Sequence, residues 1–67
     1  MEEGVVKSWN PAKGNGFISR AGRVDLYVDF RAIISEGETS LKEGDKVRFK
    51  VVVGSKGFEA KDVEKIN

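Results

Sequence analysis

An all-β domain closed into a small five-stranded antiparallel barrel is the fold this sequence predicts. Three observations carry the prediction. Stretches such as Asp25-Leu26-Tyr27-Val28-Asp29-Phe30 and Lys46-Val47-Arg48-Phe49-Lys50-Val51 alternate polar and apolar residues with period two, as strands with one buried face do. Turn chemistry, including Ala21-Gly22 and Gly54-Ser55-Lys56-Gly57, separates these stretches at short intervals. No segment holds a helical period long enough for a stable α-helix, so the strands must hide their own edges, and closure into a barrel does so.

The first strand is Gly4 to Asn10, rich in β-branched and aromatic residues. Asn10-Pro11-Ala12-Lys13-Gly14 is a turn: proline pre-sets its own φ, asparagine bonds nearby backbone, and glycine tolerates a left-handed exit. Two glycines at alternate positions, Gly14 and Gly16, then lead into Phe17-Ile18, a loop entering a second strand from Gly16 to Arg20. After Ala21-Gly22 the third strand runs from Val24 to Phe30. Alternation turns Leu26 and Val28 inward, divides Phe30 between core and surface, and places Asp25, Tyr27 and Asp29 on one outer face.

Arg31 to Ile34 is long enough only for a single helical turn over a barrel end. Ser35 to Asp45 is a polar connection anchored by Leu41. In the fourth strand, from Lys46, Val47, Phe49 and Val51 face the core and Lys46, Arg48 and Lys50 face out, a stripe best read as an ordinary solvated strand face. The last strand, Phe58 to Ile66, contributes Ala60 and Val63 to the core. From pattern alone, a five-stranded oligonucleotide-binding barrel and an SH3-like barrel both fit.

With 67 residues the chain is expected to form a single domain, residues 1–67, near the lower size at which a hydrophobic core suffices. It has no cysteine, so no disulfide supplements the core and a reducing compartment is allowed. With no histidine either, the commonest metal ligands and nucleophile–base pairs are missing, and neither a cofactor nor a metal site is expected. Apolar runs are too short to span a membrane, and the acidic start does not read as a signal peptide. The expected location is cytoplasmic, with no membrane partner. A net charge of +1 is a poor match to a polyanion binder that works by bulk charge alone, so such activity would draw on a local basic patch.

One patch suggests itself. If the second and third strands are neighbours, Phe17 and Tyr27 form an exposed aromatic platform flanked by Lys7 and Lys13. Rings beside lysines on an open sheet suit single-stranded nucleic acid, because every base has a π-face and every phosphate a charge. The bland alternative is that both rings belong to the core. Asp25 and Asp29 do not read as a catalytic carboxylate pair, since four residues along a strand separates them by roughly 13 Å. The glycine-rich stretch lacks the phosphate-loop form and opens no helix. No enzymatic activity and no small-molecule substrate are expected.

Gly4-x-Val6-Lys7-x-x-Asn10-x-x-Lys13-Gly14-x-Gly16-Phe17-Ile18 and Asp25-x-x-Val28-x-Phe30-x-Ala32-Ile33 resemble the bacterial cold-shock proteins. Leu41-x-x-Gly44-x-x-Val47-x-Phe49 and Gly54-x-x-Gly57 continue the match over essentially the whole chain. The resemblance implies the five-stranded antiparallel OB-fold barrel, binding of single-stranded RNA or DNA, an RNA-chaperone-like role and a monomer. Carried over by position, Lys7, Lys13, Phe17, Asp25, Tyr27, Phe30 and Lys56 match its nucleic-acid contacts, with Trp9 and Phe58 added as flanking aromatics. The departures fall on the same face. Ser8 stands where tryptophan is usual and Trp9 where phenylalanine is. Asn15 and Glu38 replace aromatics, Asp29 replaces histidine, and Phe58 sits where proline is common. The platform is therefore expected to bind weakly; the alternative is a barrel that serves protein contact without nucleic acid.

Overall fold

The computed structural model describes residues 1–34 and 40–66. Five strands, β1 (Glu2–Asn10), β2 (Asn15–Arg20), β3 (Arg23–Asp29), β4 (Lys46–Gly54) and β5 (Gly57–Lys65), close a barrel in the order β1-β2-β3-β5-β4. A 3-10 turn over Phe30–Ala32 follows β3, one residue earlier than the helical turn expected from Arg31. The ladders are antiparallel except β3–β5, which is parallel and short: Tyr27 faces Glu59, and an isolated bridge between Ile33 and Val63 continues the seam.

On β3 and β4 the inward rows are those the alternation predicts. Val6, Ile18, Leu26, Val28, Leu41, Val47, Phe49, Ala60 and Val63 are buried, and Trp9, Ala32, Ile33 and Val51 pack against them. Phe30, which the sequence divides between core and surface, falls on the surface side. It lies past the end of β3, in the 3-10 turn, and is 50% exposed.

Ala60 and Val63 are three positions apart, yet both reach the core, which an uninterrupted strand forbids. A β-bulge resolves this. Between the pairs Arg48–Glu64 and Lys50–Lys61 the β5 strand carries an extra residue, and Asp62 there takes a left-handed φ of 54°. Asp tolerates that conformation better than most residues with a Cβ. A second bulge lies in β1, where Val6 pairs with Ile18 but Ser8 with Phe17, leaving Lys7 as the extra residue. Trp9, two residues beyond Lys7, is thereby returned to the inward row opposite Gly16.

Arg20 is the one charged side chain buried among the described residues. Its guanidinium donates to the carbonyl of Val24 from Nη2 and Nε, at 2.9 and 3.2 Å, and to Glu2 at 3.0 Å. These bonds fasten the start of β1 to the β2–β3 turn, and they satisfy a charge whose burial is otherwise costly.

Candidate nucleic-acid interface

The site is a row of outward side chains running laterally across the sheet. Backbone pairing sets Ser8 beside Phe17, Phe17 beside Tyr27, Tyr27 beside Glu59 and Glu59 beside Val52. Phe17 and Tyr27 meet edge to face, their ring centroids 6.0 Å apart and their planes at 75°. Phe17 is 45% exposed, so its ring is on the surface rather than in the core. The Lys56 ammonium lies 5.1 Å from the centre of the Tyr27 ring, within cation–π reach. Its turn is held by Glu59, whose Oε2 accepts from the Lys56 backbone N–H at 3.2 Å. Lys7, pushed outward by the bulge, makes a 2.9 Å ion pair with Asp25.

The next row holds Asn15 opposite Asp29. The amide of Asn15 lies 3.5 Å from the Tyr27 hydroxyl, at the outer limit for a hydrogen bond. Asp29 caps the 3-10 turn: Oδ1 accepts from the Arg31 backbone N–H at 3.0 Å, and Oδ2 pairs with the Arg31 guanidinium at 3.3 Å.

Phe30 and Lys13 lie at one end of this surface. Asn10 closes the β1–β2 turn by accepting from the N–H groups of Ala12 and Lys13, at 3.0 and 3.2 Å. Gly14 leaves the turn with φ 70°, and its carbonyl accepts from the Phe30 N–H at 2.8 Å. A Cβ at Gly14 would come within 2.8 Å of the Phe30 ring, so this position needs glycine for both backbone and space. Phe30, Lys13, Gly14 and Pro11 line a shallow recess with Trp9.

The match to known proteins covers the same residues. A family model described as the 'Cold-shock' DNA-binding domain matches residues 2–66. The chain belongs to the cold-shock DNA-binding domain family. It is 49% identical to cold shock protein CspC of Bacillus subtilis over 65 residues, 97% of this chain and 98% of that one. Cold shock protein CspA of Staphylococcus saprophyticus is 47% identical over 66 residues, 98% of this chain and all of that protein. The major cold shock protein CspA of Pseudomonas aeruginosa is 49% identical over 63 residues, covering 94% and 91% of the two chains. Among solved structures, drosophila Unr CSD456 superposes with a TM-score of 0.79 at 19% identity. That match takes in 98% of this chain but 26% of the other, and it speaks to the fold alone.

In this cold-shock domain the structure brings together Lys7, Phe17, Asp25, Tyr27 and Lys56 on one face, with Lys13 and Phe30 at its end. Trp9 is placed differently. It stands in the inward row, packs against the core, and borders the surface through this recess and through a second one lined by Ser40 to Glu43. Its indole N–H is buried with no acceptor among the described residues. Phe58 is also separate. It pairs with Val53 on β4, one position from Glu59, so its ring leaves the hairpin on the face away from Tyr27. Glu38 lies outside the described residues.

Sequence reading missed the roles of two neighbours. Asp29 is a turn cap rather than a bare charge facing the ligand, and Asp at the residue before a helical turn was the available signal. Glu59 enters the outer row only because β3 and β5 pair in parallel, which no local pattern announces. The Lys46/Arg48/Lys50 stripe behaves as a solvated face: Arg48 pairs with Glu64 at 3.1 Å and Lys50 with Asp62 at 3.6 Å.

Proposed function

We propose that this cold-shock domain binds single-stranded RNA or DNA across β1–β3, with weak affinity, as a monomeric RNA-chaperone-like protein of the cytoplasm. Nucleic-acid binding of the cold-shock type follows from the family. The finer reading rests above all on the outward-facing pair of exposed Phe17 and half-buried Tyr27, two rings held in register by adjacent strands on a surface with Lys7, Lys13 and Lys56 around it. Bases in a single strand can stack on such rings, whereas a duplex keeps its base faces covered. Weakness follows from chemistry at the flanks. Ser8 and Asn15 offer no stacking face, and each lost platform removes roughly 1–3 kcal/mol per base. The lack of cysteine suits a reducing compartment.

The test is to compare Phe17→Ala and Tyr27→Ala with the parent for binding to short single-stranded RNA, single-stranded DNA and duplex. Each variant should lose roughly 1–3 kcal/mol of single-strand affinity while its circular dichroism and denaturation midpoint stay near the parent's. Parental affinity in both folded variants would remove these rings from the interface. A parent that prefers duplex would overturn the single-strand reading.

A further inference from the structure

The lysines flanking the platform are not idle in the free protein. Lys7 projects from the β1 bulge and reaches over β2 to Asp25 on β3, a 2.9 Å ion pair between residues that are not on neighbouring strands. By register the pair crosses β2 at the level of Ile18, between the outward Phe17 and Ser19, at the edge of the ring pair. Lys56 lies over the Tyr27 ring. Among the described residues no ion pair holds Lys13.

We propose that Asp25 acts against the ligand rather than with it: it holds Lys7, and the affinity and salt response of this face are set by competition between the Asp25 carboxylate and a ligand phosphate for that one ammonium. The inference rests on the single-strand reading above and reverses the role that position-by-position resemblance gives Asp25. Both members of the pair are substantially exposed, with side-chain accessibilities of 63% and 34%, so a phosphate can reach Lys7 without disturbing the fold. When a phosphate takes Lys7, Asp25 is left as an unpaired anion beside a polyanion. Binding is then an exchange of one ion pair for another. Salt weakens the internal pair as well as the new one, so the exchange depends on salt less than a simple phosphate contact would.

The experiment uses Asp25→Asn, Lys7→Gln and the double variant, titrated with a short oligo-dT strand at several salt concentrations. Asp25→Asn keeps the side-chain shape and frees Lys7. It should tighten binding about two- to fivefold, the worth of an exposed ion pair. It should also steepen the plot of log affinity against log salt by up to about 0.7, the increment for one phosphate contact on a single strand. In the Lys7→Gln background the same substitution should leave the slope unchanged and lose most of its gain. Weaker binding of Asp25→Asn would overturn the proposal and restore Asp25 as a ligand contact. A gain that persists in full without Lys7 would overturn it too, reducing Asp25 to general repulsion. A parent that binds no oligo-dT at any salt would instead overturn the functional reading, and this inference with it.

Discussion

At the residue scale, the polar replacements on the binding face differ in what they already do. Asn15 is half-buried, faces the same side as Phe17, and its side-chain bond to Tyr27, the one it makes among the described residues, is at the limit of length. Replacing it by phenylalanine gives up little and adds a ring next to Tyr27. Asn15→Phe should therefore tighten single-strand binding by roughly 1 kcal/mol or more. Asp29 is different, because its carboxylate caps the 3-10 turn and pairs with Arg31. Asp29→His offers a ring to stack on and removes a negative charge, but it forfeits the cap, at a cost to stability of roughly 0.5–2 kcal/mol. The expected result is a smaller gain in affinity than Asn15→Phe, accompanied by a lower denaturation midpoint. Binding titrations paired with urea melts separate the two effects. Equal gains with no loss of stability would show that the cap contributes nothing.

At the scale of elements, strand alternation was readable and its interruptions were not. Val47 and Phe49 on β4, and Leu26 and Val28 on β3, lie where period two puts them, because each strand there is regular and half-buried. Bulges break the pattern from outside the strand: they answer the partner's register, which one segment's sequence does not contain. In β5 a clue was nonetheless available, since two core residues three positions apart, Ala60 and Val63, demand an extra residue between them. In β1 the same argument applied to Val6 and Trp9 would have turned the tryptophan inward. The outward direction of Phe17 and Tyr27 was legible because they sit on regular stretches, although Tyr27 is half-buried. Trp9 and Phe58 stand apart from that pair, because one follows a bulge and the other lies one residue from Glu59 on the opposite side of β5. The β5 bulge makes its own prediction. A β-branched residue is strained at Asp62's φ of 54°, so Asp62→Val should cost roughly 1–3 kcal/mol, whereas Asp62→Gly should be close to neutral. Chemical denaturation of both variants checks it, and equal stability of the two would mean that β5 re-registers without the left-handed residue.

For the whole molecule, the core is small and Phe49 is the largest side chain fully inside it. Truncating it removes contacts to several strands at once, and Phe49→Ala should cost roughly 3–5 kcal/mol. Domains of this size have total stabilities of about 5–15 kcal/mol and commonly near the lower end. The variant should be largely unfolded at room temperature by circular dichroism, and a near-parental denaturant midpoint would contradict the packing described. The closure of the barrel has a separate consequence. Three strands form a meander, two form a hairpin, and the parallel contact between them at Tyr27 and Glu59 is brief. So slender a join is where the barrel should breathe, opening locally without global unfolding. Tyr27 belongs to the meander and Lys56 to the hairpin, so the cation and the ring separate whenever that join gapes. A strand of nucleic acid that stacks on one and salts to the other would act as a clasp, stitching the two halves of the barrel together and quieting their motion.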